Sequence, residues 1–249
     1  MVKLGWALLL VLGCSTQTSG QDNRATFSYN ACLVGCPTTK AMMVGTQEAI
    51  GVSPSDNTHS VAIPPVSVVS SAPNVISVGA VSRTCCAGGG SGACTTQPAD
   101  VACTDPNASA SLTLTVNALA AGSATISLQT DDGSTFDDVV LEASEPVGLA
   151  VTCDNNKPSG TMAKGQSCTL GWSATDASGN ALQSTTGVTF ASSDANVVAF
   201  QSLLGQPTAS AQASQAILAG TSLVAEGSGD AVVTASARSA KTAVPIHVQ

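Results

Sequence analysis

Residues 111–128 have the sequence SLTLTVNALAAGSATISL, and this stretch decides the fold. Apolar side chains recur in it at every second position on both sides of Gly122. They are Leu112, Leu114 and Val116, then Ala124, Ile126 and Leu128. Because successive side chains of a β-strand point to opposite faces, a period of two is typical of half-buried strands. The stretch therefore predicts two strands that each turn one face to a core.

Similar patterns continue outward from this stretch. Asp131-Asp132-Gly133 follows it and is a tight hairpin signal. In the second half, apolar residues alternate over Val147–Cys153, Cys168–Ala174 and Val244–Val248. Turn residues between such runs indicate antiparallel strands, and about seven short strands in each half suit a β-sandwich. We therefore expect an all-β fold.

The composition favours the same fold class. Ala, Ser, Thr, Val and Gly dominate, while only 10% of the residues are charged and 3% are aromatic. This is typical of a β protein with small side chains rather than of a helical bundle. Small side chains bury little area each, so the core needs an additional constraint.

The charge excludes one class of function. The chain has a net charge of −8, and without Lys3 seven basic residues face sixteen acidic ones, which gives −9. Lys and Arg form no cluster of the kind that binds phosphates. We therefore expect no nucleic-acid partner.

The sequence contains a weak internal repeat. Three segments of the first half recur in the second half in the same order, with only the loop lengths between them changed. The pairs are 45–50 with 165–170, 70–76 with 192–198, and 122–128 with 229–235. Repeats that keep their order indicate duplicated domains.

The second copy carries a motif of a known family. Residues 174–182, ATDASGNAL, resemble the A-x-D-x-x-G-x-x-L segment of bacterial immunoglobulin-like domains of the invasin type, and 188–193, VTFASS, resemble the strand that follows it. Phe190 stands where the family usually has tryptophan. The resemblance covers roughly 146–249 and, with fewer matches, 30–145. It implies two tandem immunoglobulin-like β-sandwich domains, which serve as rigid spacers, adhesive modules or mounts for binding loops.

The N-terminus has the layout of an export signal. Lys3 precedes an apolar run that ends in Val11-Leu12-Gly13-Cys14, which resembles the lipobox of bacterial lipoproteins. The run is too short to span a bilayer, which needs about 20 apolar residues. The resemblance implies cleavage before Cys14, acylation of that cysteine and, because Ser15 follows it, transfer to the outer membrane or cell surface. An ordinary secretory signal, cut further along, is the alternative.

These features divide the chain into four expected parts. Residues 1–13 form the lipoprotein signal peptide and 14–30 a lipidated polar tether. Residues 31–145 form a disulfide-rich immunoglobulin-like domain and 146–249 a second immunoglobulin-like domain. If disordered, a tether of about sixteen residues would have a root-mean-square length of roughly 20–24 Å.

The cysteines are expected to form disulfides. There are nine, and with Cys14 acylated an even number remains, as in exported disulfide-bonded chains. Cys153 and Cys168 both stand at positions of their strands whose side chains should point inward, so we pair them. Closing a loop of this length by a disulfide contributes about 3 kcal/mol to the stability of the fold. The pairing of the other six stays open, although a bond between adjacent cysteines would be strained. Those six are Cys32, Cys36, Cys85, Cys86, Cys94 and Cys103.

The sequence predicts no metal site and no cofactor. Cys32-x-x-x-Cys36 and the adjacent Cys85-Cys86 could supply thiolates for zinc, but no second spaced pair or histidine completes a known pattern. The acidic residues between Asp131 and Glu145 do not follow the spacing of a calcium loop, so we expect a solvated acidic hairpin there.

The sequence also predicts no catalytic residue. His59 and His247 have no paired serine or carboxylate nearby, which argues against a catalytic triad. The most unusual segment is Arg83–Asn107, with four cysteines and a glycine run. It is either a decorative insertion or a recognition loop made rigid by disulfides.

The resulting interpretation is a lipid-anchored bacterial surface protein without catalytic activity. Its role would be structural or adhesive, and its partners would be the membrane, through the lipid, and a surface protein or glycan. One alternative is a lipoprotein that binds a small ligand or carbohydrate. Another is a hydrolase with an unrecognised site, which would require polar side chains clustered in a cleft.

Overall fold

The computed structural model describes residues 18–29, 36–37, 40–55, 63–87, 93–105, 107–153, 160–184, 186–201, 207–208, 210–213 and 222–249. The described chain forms four β-sheets, arranged as two tandem β-sandwiches. The prediction of an all-β fold with two immunoglobulin-like domains is confirmed. In the described part of the chain, no helix is long and apolar enough to cross a membrane.

The first sandwich contains strands β1 to β11. Its larger sheet is built from β1 (Thr18–Ser19), β2 (Ala25–Tyr29), β3 (Cys36–Pro37), β5 (Gln47–Pro54), β7 (Ile76–Cys86), β8 (Cys94–Pro98) and β9 (Ser109–Ala118). The strand order is β1-β2-β5-β9-β7-β8, and β3 pairs with β2. The smaller sheet is built from β4 (Met42–Met43), β6 (Ser67–Ser70), β10 (Gly122–Gln129) and β11 (Thr135–Ser144). Its order is β4-β11-β10-β6.

The second sandwich contains strands β12 to β21. One sheet has the order β12-β14-β19-β16-β17, and its strands are β12 (Gly148–Cys153), β14 (Ser167–Thr175), β16 (Val198–Gln201), β17 (Pro207–Thr208) and β19 (Ser222–Ala225). The other has the order β13-β21-β20-β15-β18, and its strands are β13 (Thr161–Met162), β15 (Val188–Ser192), β18 (Ser210–Ala213), β20 (Gly229–Ala237) and β21 (Ala240–Val248).

The two sandwiches share one topology. The order β2-β5-β9-β7 corresponds to β12-β14-β19-β16, and β4-β11-β10-β6 corresponds to β13-β21-β20-β15. In both, a two-residue strand runs parallel to the last strand, while the other pairs are antiparallel. Four strands in the order A-B-E-D, facing a sheet that contains C, F and G, are the arrangement of the immunoglobulin fold.

The sequence repeat corresponds to equivalent local structure. Gly122 and Gly229 have φ angles of +142° and +141°, which other residues rarely adopt. Ser71 donates its N–H to the Thr125 carbonyl and accepts the Thr125 N–H at its hydroxyl. Ser193 makes the same two contacts with Val232. In each copy, the second serine of the pair therefore joins the end of one strand to its antiparallel neighbour by the same two hydrogen bonds.

Each sandwich has its own core. The predicted inward residues of 111–128 are all buried in the first core. The rings of Phe190 and Phe200 lie 6.2 Å apart in the second core. Trp172 is half-buried and packs against that core, as expected from its alternation with apolar neighbours.

The predicted tether is wrong over residues 18–29, which form β1 and β2. Ala25, Phe27 and Tyr29 are fully buried. Their alternation with Thr26 and Ser28 follows the period of a half-buried strand, although the segment is polar overall. The first sandwich therefore includes residues N-terminal to the expected boundary at 31. Residues 1–17, with the predicted signal peptide and Cys14, lie outside the described residues.

Candidate functional site

Four cysteines gather at the end of the first sandwich that lies away from the second. At that end, Cys86 of β7 pairs with Ser109 at the start of β9. At the opposite end, Ala118 closes β9 and is hydrogen-bonded to Gly45 and Thr46, which lie near the second sandwich. We call Arg83–Cys86 together with Cys94–Cys103 the disulfide pole.

Two disulfides brace the disulfide pole. Cys86 bonds Cys94 directly across the β7–β8 pair, with their Cα atoms 4.1 Å apart. Cys85 bonds Cys103, with a Cα–Cα distance of 5.7 Å. The adjacent cysteines thus have different partners. The Cys86–Cys94 bond attaches the start of β8 to β7, and the Cys85–Cys103 bond attaches the chain after β8 to it. Such cross-links reduce the freedom of the unfolded chain and stabilise the hairpin.

A buried arginine stabilises the inward side of the disulfide pole. Arg83 is 1% exposed and lies on the inward face of β7. Its guanidinium donates to the carbonyls of Ile63 (2.7 Å), Ala99 (2.9 and 3.2 Å) and Pro64. Burial lowers the pKa of Arg83, but a guanidinium stays protonated in proteins. Arg83 therefore joins three chain segments through carbonyl groups.

This role of Arg83 is absent from the sequence-based predictions, in which the residue is only the start of the cysteine-rich segment. The available signal was its position two residues before Cys85, which gives both side chains the same inward parity. A cation on an inward face needs hydrogen-bond acceptors, because burying a charge without partners is costly.

Two modest cavities lie at the surface of the described part of the chain. One of about 190 Å³ lies beside Arg83 and is also lined by Pro64, Cys103 and Asp105. Another of about 310 Å³ is lined by residues that include His247. Sites for small molecules usually have volumes of about 300–1,000 Å³ and enclose most of the ligand.

His247 has a carboxylate partner, so the prediction that it lacks one is wrong. Its Nδ1 lies 2.7 Å from Oδ1 of Asp230, across the β20–β21 pair. Both side chains are exposed. Ser193 lines the same cavity, but its hydroxyl accepts the Val232 N–H. Within the described chain, no hydrogen bond joins Ser193 to His247, so the pair is not extended to a nucleophile. His59 lies outside the described residues.

The second sandwich also contains a disulfide-bonded cysteine. Cys168 is buried and disulfide-bonded. The backbone of Cys153 pairs with Leu170, two residues from Cys168 along β14. The side chain of Cys153 lies outside the described part, so the Cys153–Cys168 bond stays a prediction. Cys32 and the side chain of Cys36 are outside it as well.

Asp137 is buried rather than solvated, which corrects part of the acidic-hairpin prediction. Its carboxylate accepts four backbone N–H groups at 2.7–2.9 Å. The donors are Asp22, Arg24, Ala25 and Asp138. Asp137 therefore fixes the turn between β1 and β2. Burial, followed by the charges of Asp137 and Asp22, raises the pKa of Asp138.

Another acidic residue of this hairpin, Asp132, lies in the turn between β10 and β11. Asp132 is exposed and accepts hydrogen bonds from the Thr130 hydroxyl, the Ser134 N–H and the Ser134 hydroxyl. These bonds, that from Thr130 foremost, lower the pKa of Asp132 to about 2. Among the described side chains, no group of three or more His, Cys, Asp or Glu could hold a metal ion.

The two sandwiches are joined by a well-packed junction. Met43 extends from the first sandwich into the second core, where it is 1% exposed. Its N–H donates to the Gln183 carbonyl at 2.9 Å, and the Gln183 N–H donates to Ala41 at 2.7 Å. Gln183 directly follows the 174–182 motif that carried the family resemblance. That motif therefore ends at the contact between the domains.

Further contacts surround the junction. Glu145 and Arg238 form an ion pair of 2.9 Å between the end of the first sandwich and the β20–β21 turn. Gly187 packs so closely that an added Cβ atom would lie 2.7 Å from Thr46 and 2.9 Å from Met43. Backbone bonds, a buried side chain and an ion pair together hold the two domains in one arrangement.

Comparison with known proteins gives distant structural likenesses alone. No protein-family model matches the sequence, and no curated protein matches it. Domains 4 and 5 of the S-layer protein SbsC are 16% identical, with a TM-score of 0.29 over 74% of this chain and 76% of that chain. The Escherichia coli adhesin FdeC is 13% identical, with a TM-score of 0.32 over 93% of this chain and 64% of that chain.

A third likeness is to invasin, described as a bacterial integrin-binding protein. It is 12% identical, with a TM-score of 0.30 over 92% of this chain and 41% of that chain. The chain thus spans less than two thirds of the FdeC and invasin structures. Likenesses this distant carry no argument about function, and the immunoglobulin-like assignment stands on the strand order and register.

Proposed function

We propose that this protein is a lipid-anchored bacterial cell-surface protein that presents its disulfide pole to a surface protein or glycan. Its role is structural or adhesive, without catalysis. The observation that carries the proposal is the position of the disulfide pole, at the end of the first sandwich away from the junction. Binding by a rigid loop costs less ordering entropy than binding by a flexible one.

The features of the pole support recognition by its surface. Cys94, Thr95 and Thr96 on β8 are exposed. The Cys86–Cys94 disulfide holds the start of this strand, while Arg83, through the Ala99 carbonyl, and the Cys85–Cys103 disulfide hold the chain that follows it. Disulfides of this kind persist in oxidising environments such as the bacterial envelope, which agrees with export.

The lipid anchor is tested by intact-mass spectrometry of the membrane-bound protein from a double-membraned bacterial host. We expect an N-terminal residue 14 that carries diacylglycerol and an acyl chain, because two or more chains are needed for stable anchoring. The Cys14→Ser variant should leave the membrane fraction, while Ser15→Ala should stay in it. An unmodified N-terminus beyond residue 14 would exclude the anchor.

Recognition through the pole is tested by binding of the unlipidated mature protein to bacterial envelopes and to a glycan array. The double variant Thr95→Arg/Thr96→Arg adds bulk and charge at exposed positions and should lower binding at least tenfold. Thr189→Arg, on an exposed position of the second sandwich, is the matched control and should bind normally. Equal binding by all three proteins, with unchanged melting temperatures, would refute recognition through the pole.

A further inference from the structure

The two disulfides of the pole lie on opposite faces of β7. Cys85 is 6% exposed and belongs to the inward face, whereas Cys86 is half-buried on the outward face. Successive side chains of a strand alternate in this way. Cys94 stands directly opposite Cys86 across the β7–β8 pair and is exposed. The Cys86–Cys94 bond therefore lies on the solvent side of the sheet, while the Cys85–Cys103 bond begins at a buried residue.

The position of β8 also leaves the Cys86–Cys94 bond accessible from the side. Among the described strands, β8 is the outermost strand of the larger sheet. Cys86 and Cys94 are the last pair of the β7–β8 ladder, at its open end. A thiolate breaks a disulfide by attacking one of its sulfurs, so the rate depends on access to that sulfur. Access favours attack at the exposed Cys94 over attack at Cys103, which is half-buried.

The backbone spacing favours the same bond. The Cα atoms of Cys86 and Cys94 lie 4.1 Å apart. Disulfide-bonded residues are usually about 4.4–6.8 Å apart, and the closest pairs of an antiparallel ladder about 4.5 Å. The Cα atoms of Cys85 and Cys103 lie 5.7 Å apart, within that range. Because a departure from the usual spacing makes a disulfide easier to reduce, the Cys86–Cys94 bond should open first.

We propose that the Cys86–Cys94 disulfide is a thiol-exchange site, which an external thiol opens while the Cys85–Cys103 bond stays closed. The incoming thiolate forms a bond to the sulfur of Cys94. The Cys86–Cys94 bond breaks, and its electron pair leaves with Cys86 as a thiolate. A second external thiolate then attacks the external sulfur and releases Cys94 as a thiolate. Two external thiols are thereby oxidised to one disulfide, and their two protons pass to Cys86 and Cys94, which are reduced.

The opened protein stays folded. The Cys86–Cys94 bond joins residues with a sequence separation of 8, against 18 for Cys85–Cys103, and shorter loops contribute less to stability. The Arg83 guanidinium still donates to the Ala99 carbonyl, just after β8. The Cys85–Cys103 bond still attaches the chain after β8 to β7. Opening therefore releases only the start of β8.

Opening changes the surface that we propose for recognition. Thr95 and Thr96 directly follow Cys94 and are exposed. Without the cross-link to Cys86, a partner has to order this end of β8 on binding, which lowers affinity. This step rests on the proposed function, whereas the exchange itself does not. A thiol in the surroundings of the protein thus weakens recognition through the pole, and reoxidation restores it.

The exchange is tested on the unlipidated mature protein with 2-mercaptoethanol as the external thiol. Acid quenching at intervals, maleimide labelling and peptide mapping give the rate at which each cysteine becomes reduced. Cys86 and Cys94 should be reduced at least tenfold faster than Cys85 and Cys103, which are the internal control. In guanidinium chloride, where the folded structure no longer limits access, the two rates should agree within about threefold. Equal rates in the folded protein, or a preference that persists in guanidinium chloride, would overturn the proposal.

The folded state of the opened protein is tested with the double variant Cys86→Ser/Cys94→Ser. Its melting temperature should fall less than that of the matched control Cys85→Ser/Cys103→Ser, and its near-ultraviolet signal from Tyr29 should be that of the unsubstituted protein. An unfolded first sandwich in Cys86→Ser/Cys94→Ser would overturn the proposal, because opening would then destroy the domain.

The effect on recognition is tested in the envelope-binding assay described above. Cys86→Ser/Cys94→Ser should bind at least threefold more weakly than the unsubstituted protein. Normal binding by this variant, in an assay where Thr95→Arg/Thr96→Arg lowers binding, would overturn the regulatory step. If Thr95→Arg/Thr96→Arg also binds normally, the proposed function fails instead, and the exchange rates, measured without a partner, still decide whether the site exists.

Discussion

Asp137→Asn should destabilise the first sandwich strongly. The carboxylate accepts two N–H groups at each oxygen, from Asp22 and Asp138 at Oδ1 and from Arg24 and Ala25 at Oδ2. Asparagine keeps one oxygen and replaces the other with an NH₂ group. Two N–H donors then face another donor in place of an acceptor, in a buried position.

The expected magnitude follows from the number of lost acceptors. Each buried N–H without a partner costs about 1–3 kcal/mol, so the substitution should lower the free energy of unfolding by about 2–6 kcal/mol. Whole domains are stable by only about 5–15 kcal/mol. The variant should therefore unfold at a clearly lower denaturant concentration.

The two domains carry separate spectroscopic reporters for this measurement. Tyr29 is the single tyrosine and is buried in the first core. Without the predicted signal peptide, Trp172 is the single tryptophan and packs on the second core. In guanidinium chloride, the tyrosine near-ultraviolet signal should shift to lower concentration, and the tryptophan fluorescence should shift less.

Asp138→Asn is the matched control for this prediction. Asp138 is the neighbouring carboxylate, and its raised pKa shows that its surroundings disfavour the charge. Neutralising it should change the free energy of unfolding by no more than about 0.5 kcal/mol, as for ordinary surface changes. If Asp137→Asn had as small an effect as Asp138→Asn, the account of how residues 18–29 are held would be wrong.

Three further results are expected. Gly187→Ala should destabilise the protein by about 1–3 kcal/mol more than Gly179→Ala. Both glycines have positive φ, but of the two only Gly187 packs tightly on the first sandwich. Paired denaturation curves measure the difference, and equal losses of stability would contradict the packing of the junction. Asp132 should titrate near pH 2 in an NMR titration, and Thr130→Ala should move its pKa back toward 4. Because its pKa is depressed in the folded state, its contribution to stability is present above pH 4 and is lost as the pH falls toward 2; an unshifted pKa in the unsubstituted protein would contradict this. Arg83→Met should leave the carbonyls of Ile63 and Pro64 without their donor, while Ala99 keeps the Val66 N–H, and should cost at least about 2 kcal/mol by the tyrosine signal, with partial recovery in Arg83→Lys. A loss below about 1 kcal/mol would show that the arginine is not needed.

Much of the fold could be predicted from local sequence. Side-chain alternation is set by the geometry of a single strand, so 111–128 predicted both strands and their inward residues. The same alternation in residues 25–29 was outweighed by the polar composition of the segment. Its decisive contact comes from Asp137, more than a hundred residues away, and such long-range contacts leave no local signal.

The candidate site was harder to predict for the same reason. An even cysteine count predicts disulfides, but the partner of each cysteine depends on strand register. Cys86 and Cys94 are joined because they stand opposite each other across β7 and β8. Likewise, Asp230 and His247 meet through the register of β20 and β21, which the spacing of the two residues in the sequence does not reveal.

If Cys14 carries the proposed acyl chains, the docking of β1 onto β2 limits how far the protein can stand from a bilayer. Three residues separate Cys14 from Thr18, and four fully extended residue steps span at most about 14 Å. With such an anchor, the linker is too short for the first sandwich to move far from the lipid headgroups. The first sandwich would instead sit low against the lipid, so a binding partner would have to come close to the membrane to reach it.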